Sequence, residues 1–161
     1  AGLVVFTDAE TRGEALFNGI AECDTCHSPP AGEQVFSNFE YKNIGVPANA
    51  TLDDALTVQN GGPANDLGLG SVTEDPLDNG KFRNSNLRNI AVTSPYMHNG
   101  VFTTLTEVVE FYNTRDIDGI TPEIDENVDD AGNIGELGLT AQQIADLVAF
   151  LETLSDQPTA P

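Results

Sequence analysis

Cys23-Asp24-Thr25-Cys26-His27 is the stretch that decides how this chain folds. Two thiols at positions i and i+3 can add to the two vinyl groups of a porphyrin, and the residue after the second thiol then reaches the iron. This pattern is typical of c-type haem attachment. We therefore predict one covalent haem c, attached through Cys23 and Cys26, with His27 as the proximal iron ligand.

A CxxC pair has three other interpretations, namely a disulfide, a redox dithiol and half of a zinc site. Zinc lacks ligands, because His98 is the only other His and the chain has no further Cys. A redox dithiol usually lies in a βαβ pattern, which the sequence does not show. The position of the motif, just after a short helix containing Gly13, also matches haem attachment.

Length and composition bound the architecture. The 161 residues fit one domain of ordinary size. The hydrophobic fraction of 39% is low for a globular protein, and a buried porphyrin would supply the missing apolar mass. We predict one haem domain over residues 1–155 and a tail or linker over residues 156–161. The chain starts without a basic and apolar leader, which we interpret as a mature exported protein or a domain of a longer one.

The charge balance narrows the choice of partners. Six Lys and Arg residues stand against 26 Asp and Glu residues, for a formal charge of −20. This charge argues against nucleic acid. It indicates either a surface selected for solubility or electrostatic steering toward a basic redox partner. No apolar run approaches the roughly 20 residues that span a bilayer.

Three segments predict amphipathic helices, and each begins with a capping box, in which a Thr and an acid or amide three residues later satisfy free amide groups. The boxes are Thr7-Asp8-Ala9-Glu10, Thr104-Leu105-Thr106-Glu107 and Thr140-Ala141-Gln142-Gln143. We expect the first and last helices to pack together. Gly13 would allow close approach of the backbones, and Phe17 and Phe150 would fill the crossing.

Between these helices the sequence is rich in Gly, Pro, Asn and Asp, so we expect long loops over residues 60–80 and 116–138. A haem would give such loops an apolar object on which to pack. No strand pattern is sustained enough to build a sheet. The fold class predicted is mainly α, a cytochrome c-like helical fold with long loops wrapped around one covalently attached haem.

The sixth iron position has three candidates. Met97 is the only Met, and Met with His is a common ligand pair in electron-transfer cytochromes. His98 is its neighbour, and both side chains cannot easily point at one iron. Tyr112 lies on the apolar face of its helix, where a phenol needs a hydrogen-bond partner or a metal. These residues alone leave the choice open.

Several stretches carry a resemblance to a known family. They are residues 81–90 (KFRNSNLRNI), 93–100 (TSPYMHNG), 104–113, 13–27, 43–47 and 139–154. Together they resemble the C-terminal haem domain of the bacterial di-haem cytochrome c peroxidase and MauG family. Asn84-Ser85 departs from the Thr-Pro usual there, and the acidic stretch 116–136 is longer than usual.

The resemblance implies roles for individual residues. The position of Tyr112 holds the distal ligand, a Met in the peroxidases and a Tyr in MauG, so we favour Tyr112 over Met97. A phenolate stabilises ferric iron, which implies a low reduction potential. Arg88 would bind a haem propionate. The family also binds calcium through backbone carbonyls that match Thr93 and Pro95, but the partner ligand belongs to a domain that this chain lacks.

The acidic loop offers a second place for a cation. Asp116-Ile117-Asp118-Gly119 lacks the full twelve-residue spacing of an EF-hand, so we favour a solvated loop.

We predict a mono-haem c-type cytochrome that transfers electrons to or from another redox protein or domain, rather than an enzyme. The alternative is a peroxidase-type enzyme, either the domain of a di-haem peroxidase that receives electrons or a mono-haem peroxidase. A third hypothesis, haem-based sensing through ligand exchange at Tyr112, has no specific support. Haem attachment by thioether bonds requires exported assembly machinery, which implies a periplasmic or extracellular location. Lys81, Arg83 and Arg88 form a basic cluster that could mark a docking face.

Overall fold

The computed structural model describes residues 5–28, 35–52, 66–129, 132 and 134–156, and it confirms a mainly helical fold. The helices in these ranges are α1 (Asp8–Phe17), α2 (Asp24–His27), α3 (Gly70–Thr73), α4 (Leu105–Thr114) and α5 (Ala141–Thr153). Single 3-10 turns span Pro76–Asp78 and Ile90–Val92. The strands are β1 (Tyr41–Lys42) and β2 (Phe82–Arg83), which pair antiparallel with Tyr41 opposite Arg83. No helix of the described residues is long and apolar enough to cross a membrane.

The three predicted capping boxes are present. The Thr7 hydroxyl accepts a hydrogen bond from the Glu10 amide at 3.3 Å, and the Glu10 carboxylate accepts one from the Thr7 amide at 2.6 Å. Thr104 and Thr140 make the same reciprocal pair of bonds at the starts of α4 and α5. Each box satisfies amides that have no partner within the helix, which explains where the helices begin.

Helices α1 and α5 cross at Gly13, as the sequence predicts. A Cβ atom at Gly13 would collide with the backbone oxygen of Asp146 and with Phe150, so only glycine allows this approach. The Phe17 and Phe150 rings meet edge to face, with centroids 5.3 Å apart. Beside them, the Arg12 guanidinium donates two hydrogen bonds to the Asp146 carboxylate, at 2.7 and 2.9 Å.

The hydrophobic core extends from this crossing to the inner face of α4. Leu147, in the middle of α5, is 1% exposed and is the most deeply buried of its apolar members. The buried residues of the core are Phe17, Ala21, Tyr96, Leu105, Val109, Leu139, Ile144, Leu147, Phe150 and Leu151. The core therefore joins α1, α4 and α5, and it supports one wall of the site described below.

A side-chain amide joins the end of α4 to the residue before the α5 capping box. The Nδ2 atom of Asn113 donates to the Leu139 carbonyl at 3.2 Å, and the Leu139 amide donates to Asn113 Oδ1 at 2.7 Å. Both bonds are buried. The two helices are thus held at a defined spacing although a long segment separates them in the chain.

The predicted loops are only partly structureless. Residues 60–65, 130, 131 and 133 lie outside the described residues. In residues 66–80 the expectation of a plain loop is wrong, because α3 and the Pro76–Asp78 turn occur there. The Asp75 carboxylate caps that turn by accepting from the Leu77 amide at 2.9 Å, with Pro76 at its first position. The described residues of 116–138 contain no helix or strand.

The predicted tail begins with a residue that is bound to the domain. The Asp156 amide donates to Asn89 Oδ1 at 2.6 Å, and Asp156 Oδ2 accepts from Asn89 Nδ2 at 3.1 Å. Residues 157–161 lie outside the described part of the chain, so the boundary of the domain stays a prediction.

Candidate functional site

A cavity of about 570 Å³ lies between α2, α4, α5 and the segments that carry β1 and β2. This volume falls within the range of about 300–1,000 Å³ that is typical of small-molecule and cofactor sites. The predicted site residues that line it are Cys23, Cys26, His27, Arg88, Met97, His98 and Tyr112. The structure therefore brings together residues that are widely separated in the chain.

One turn of helix presents the two thiols to the cavity. The amides of Cys26 and His27 donate to the Cys23 carbonyl at 3.3 and 2.9 Å, which starts α2 at the motif. Residues at i and i+3 lie on one face of a helix, so both sulfurs line the same cavity. Both cysteines are free thiols rather than a disulfide.

The thiols do not have the properties of a redox dithiol. Burial raises the pKa of the Cys23 thiol to about 12, and burial also raises the pKa of Cys26. A reactive dithiol requires a lowered thiol pKa, because the thiolate is the nucleophile. The raised pKa values keep both groups as neutral thiols, which does not favour dithiol exchange.

The His27 ring is held in one neutral tautomer. Its Nδ1 atom lies 3.0 Å from the Phe36 carbonyl, and since a carbonyl can only accept, Nδ1 carries the proton. Burial lowers the pKa of His27, opposed in part by hydrogen bonds to the backbone of Phe36 and Ser85. A neutral imidazole whose Nδ1–H is held by a carbonyl is the form that binds iron through Nε2.

Tyr112 faces the same cavity from α4. The residue is half-buried. Removal of its phenol from water, followed by the nearby Cys23 and Cys26 sulfurs, raises its pKa well above the ordinary value. Its ring meets Phe111 edge to face at 5.5 Å. No hydrogen bond to the Tyr112 hydroxyl is found in the described ranges. A phenol that lines the cavity without a protein hydrogen-bond partner is open to a ligand bound there.

His98 is committed to other protein groups. Its ring stacks on Phe82, with centroids 3.6 Å apart and an interplanar angle of 8°. Its Nε2 atom lies 3.1 Å from Glu123 Oε2, which also accepts from Asn99 Nδ2 at 3.0 Å. The His98 ring is therefore held by partners on both sides, which leaves it less free to turn toward a ligand of the cavity. The backbone of the neighbouring Met97 lies in the left-handed region, with φ of 69°.

Arg88 lines the cavity but is bound to an acid. Its guanidinium donates two hydrogen bonds to the Asp156 carboxylate, one of them from Nε at 3.2 Å. An ion pair at the surface thus occupies the group that the family resemblance assigns to a propionate.

Sequence reasoning missed two buried polar residues that shape the cavity. Asn43, 5% exposed, donates from Nδ2 to the Ile124 and Glu126 carbonyls at 3.0 and 2.8 Å. Arg115, 2% exposed, donates to the Ile44 and Ile134 carbonyls at 2.8 and 3.1 Å. Their partners are distant in sequence, so no local pattern marks them. The only signal was that Asn43 opens the Asn-Ile-Gly-Val-Pro stretch.

The acidic stretch 116–119 forms no metal site in the described residues, and calcium at the Thr93 and Pro95 carbonyls stays a prediction. The carboxylate of Asp116 is bound by the Arg115 guanidinium at 2.7 Å, which already supplies it with a cation. Within residues 5–28, 35–52, 66–129, 132 and 134–156, no group of three or more His, Cys, Asp and Glu side chains could hold a metal ion.

The residues of the cavity fit a haem. Two neutral thiols, a neutral imidazole and a phenol without a protein partner converge on it, and apolar side chains complete the wall. Those apolar residues include Leu105, Val108, Val109, Leu147 and Leu151. This combination of covalent attachment points, axial ligands and apolar surface is what a c-type haem requires.

Comparison with curated proteins finds relatives over almost the whole chain. The cytochrome-c peroxidase IdrP1 of Pseudomonas sp. strain SCT is 39% identical over 176 aligned positions, covering 95% of this chain and 43% of the relative. The methylamine utilization protein MauG of Paracoccus denitrificans is 37% identical, covering 96% and 47%. The chain thus spans less than half the length of these relatives. No family model matches the sequence.

Solved structures share the fold. A MauG-like protein associated with microbial copper homeostasis aligns with a TM-score of 0.71 and 35% identity, covering 95% of this chain and 48% of that protein. The diheme peroxidase BthA of Burkholderia thailandensis aligns with a TM-score of 0.70 and 29% identity, covering 98% and 46%. Because the alignments cover 95% and 98% of this chain, the similarity includes the segments that carry β1 and β2 as well as the helices.

Proposed function

Because the chain belongs to the MauG-like di-haem peroxidase family, we propose that it carries one haem c and transfers electrons to or from another redox protein or domain. The observation that carries this proposal is the cavity where Cys23, Cys26, His27 and Tyr112 converge. A bound haem supplies an iron that changes between the ferric and ferrous states. Cys23 and Cys26 would hold it by thioether bonds, and His27 would bind the iron.

Tyr112 is our choice for the distal ligand. Its hydroxyl has no protein partner among the described residues, whereas the His98 ring is held by Phe82 and Glu123. Met97 stays the alternative, since it lines the same cavity. If His27 and Tyr112 both bound the iron, no position would be left for a substrate, which would suit electron transfer.

The apolar wall supports the same role. Leu105, Val108 and Val109 from α4 face the cavity together with Leu147 and Leu151 from α5. These side chains give the cavity an apolar wall, and an apolar surrounding lowers the cost of rearranging solvent when charge changes. The acidic surface, with a formal charge of −20, favours a basic partner whose association rate falls with salt.

A peroxidase is the second candidate, because the curated relatives named above include cytochrome-c peroxidases. The 161 residues contain a single CxxCH motif and span less than half of those relatives. A di-haem enzyme would therefore need a second haem domain beyond this sequence. We propose the periplasm or the extracellular space as the location for either function.

Spectroscopy of the purified chain separates these functions. After expression with a c-type maturation system, we expect the mass of the chain plus one haem, and low-spin spectra in both oxidation states. We also expect negligible turnover of peroxide. A high-spin ferric form that binds cyanide readily and turns over peroxide would instead support the peroxidase.

Ligand variants test the distal assignment. Tyr112→Phe should change the ferric spectrum and raise the reduction potential, because it removes a hard oxygen ligand that favours ferric iron. Met97→Leu and His98→Gln should leave the ferric spectrum of the wild type in place. If Met97→Leu changes the spectrum and Tyr112→Phe does not, then Met97 is the ligand.

A further inference from the structure

One basic residue stands apart from the other five. Those five are each bound to a carboxylate, and their partners are as follows: Arg12 with Asp146, Lys42 with Asp129, Lys81 with Asp78, Arg88 with Asp156 and Arg115 with Asp116. Arg83 forms no ion pair within the described part of the chain. This is unexpected where 26 acidic residues face only six basic ones.

Arg83 is nevertheless held in place. Its guanidinium lies over the Phe39 ring, 5.1 Å from the ring centroid. Such a contact orients the cation but leaves its charge and its hydrogen-bond donors available. Its backbone belongs to β2, where it pairs with Tyr41. The side chain is therefore positioned without being neutralised.

The segment that carries Phe39 is fixed to the segment that carries Arg83. The Ser37 hydroxyl, in a residue that is fully buried, donates to the Asn84 carbonyl at 2.7 Å and accepts from the Phe39 amide at 3.0 Å. The Asn84 amide in turn donates to the Glu40 carbonyl at 2.8 Å. These bonds hold the aromatic ring beneath the guanidinium.

Arg83 also lies where the cavity meets solvent, because the residue is exposed and still lines the cavity. An oriented guanidinium with free donors is the group that best binds a carboxylate, through two parallel hydrogen bonds. A haem in the cavity brings two carboxylates, its propionates. Arg88, which the family resemblance suggested for this role, already has Asp156 as its partner.

We propose that Arg83 binds a haem propionate at the mouth of the cavity. This inference rests on the proposed haem and deepens it by naming the residue that orients the exposed edge of the cofactor. It also means that Arg83 would influence the reduction potential of the haem iron. A cation beside a propionate offsets negative charge near the iron, in a chain whose formal charge is −20, and so favours the ferrous form.

The test compares single variants of the haem-loaded chain by redox titration. Arg83→Gln should shift the reduction equilibrium toward the ferric form by about threefold to fivefold, the order expected for removing one unit charge at the solvent-exposed mouth of the cavity. Arg12→Gln makes the same charge change at α1, away from the cavity lining, and should shift it by less than about twofold. Arg83→Lys keeps the positive charge, so its reduction potential should stay close to that of the wild type.

Two further measurements separate binding from a general loss of structure. Arg83→Gln should move the NMR signals of the propionate methylene protons while circular dichroism stays that of the wild type. If Arg83→Gln leaves the potential and these signals unchanged in a chain with haem attached, or if only Arg88→Gln shifts them, the inference is overturned and the proposed function stands. A wild-type chain whose mass lacks haem would overturn both.

Discussion

The α1–α5 crossing and the cavity side of the molecule are held together by different forces. We use cavity side for residues 35–52 and 66–103. At the crossing, Gly13 brings two backbones into contact and Phe17 packs on Phe150, so the chain supplies both surfaces. On the cavity side, buried Ser37 and Asn43 bind backbone atoms of distant segments. The crossing is complete with the chain's own atoms, whereas the cavity side has an inner surface that a cofactor would cover.

This difference predicts that the two regions should lose stability in response to different perturbations. Apolar packing at the crossing depends on the volumes of side chains. The cavity side depends on its hydrogen bonds and on what occupies the cavity, since a ligand that binds only the folded state adds its binding energy to stability. Four experiments address this contrast.

Removing both attachment thiols should have the largest effect. In Cys23→Ala/Cys26→Ala we expect no covalent haem, and amide hydrogen exchange on the cavity side about 100-fold faster than in the loaded wild type. Amides of α1 and α5 should keep most of their protection. Hydrogen exchange read by mass spectrometry checks both regions at once.

The matched control for the thiols is Thr25→Ala, an exposed position inside the same motif, which should retain the haem and the wild-type exchange pattern. If the thiol variant lost amide protection equally in both regions, the α1–α5 crossing would depend on the haem as much as the cavity side does.

A larger side chain at position 13 tests the crossing. Gly13→Leu should lower the free energy of unfolding by about 3 kcal/mol, because the new side chain meets the Asp146 backbone, which cannot move aside without separating the helices. Ala15→Leu, on the exposed side of α1, should change it by less than about 0.5 kcal/mol. Urea unfolding followed by circular dichroism gives both values, and equal values would show that the crossing is not tight.

Asn43→Ala should weaken the cavity side. It removes two donated hydrogen bonds and leaves the Ile124 and Glu126 carbonyls without this partner, so we expect a loss of about 2 kcal/mol in the free energy of unfolding. Asn18→Ala removes one exposed hydrogen bond at the end of α1 and should cost less than about 0.5 kcal/mol. A variant at position 43 as stable as the wild type would show that these bonds do not hold the segment.

The smallest effect expected is a dependence of the free energy of unfolding on pH, caused by the ion pair at the α1–α5 crossing. The Arg12 guanidinium beside Asp146 holds the pKa of that carboxyl below its ordinary value of 3.8. A lowered pKa in the folded state stabilises the fold above pH 3.8, and this contribution is lost as the pH falls through the folded value.

Arg12→Gln removes the largest cause of this shift and leaves the smaller contribution of Gln142. The stability difference between wild type and Arg12→Gln should therefore be largest near pH 7 and should shrink below pH 3.8. Urea midpoints measured at several pH values test the sign, and Arg12→Lys keeps the charge as a control. A difference that grows on acidification would contradict the assignment.

The helices could be predicted from the sequence because their signals are local. Each capping box occupies four consecutive residues, and the Gly13 and Phe150 positions follow from helical spacing. The CxxCH motif is equally local, so five consecutive residues are enough to indicate a haem site. The close packing of α1 on α5 was inferred correctly from one glycine and two rings.

The rest of the cavity could not be predicted, because it depends on contacts between distant segments. The stacking of Phe82 on His98 and the bond from His98 to Glu123 join β2 to two loops without any periodic pattern. For Arg88 and Arg83 the sequence shows two similar cations in the same stretch. Only the three-dimensional partners, Asp156 for one and the Phe39 ring for the other, distinguish them.

The paired bonds between Asn113 and Leu139 have a consequence for how this domain tolerates change. They close residues 114–138 into a loop whose two ends stay together whatever its length. Since the entropy of closing a loop grows only slowly with length, insertions should cost little at exposed positions without contacts, but not near Glu123, Ile124 and Glu126, which bind the cavity side. An affinity tag or a fluorescent label placed near Gly119, where added atoms meet nothing nearby, should leave the helices undisturbed.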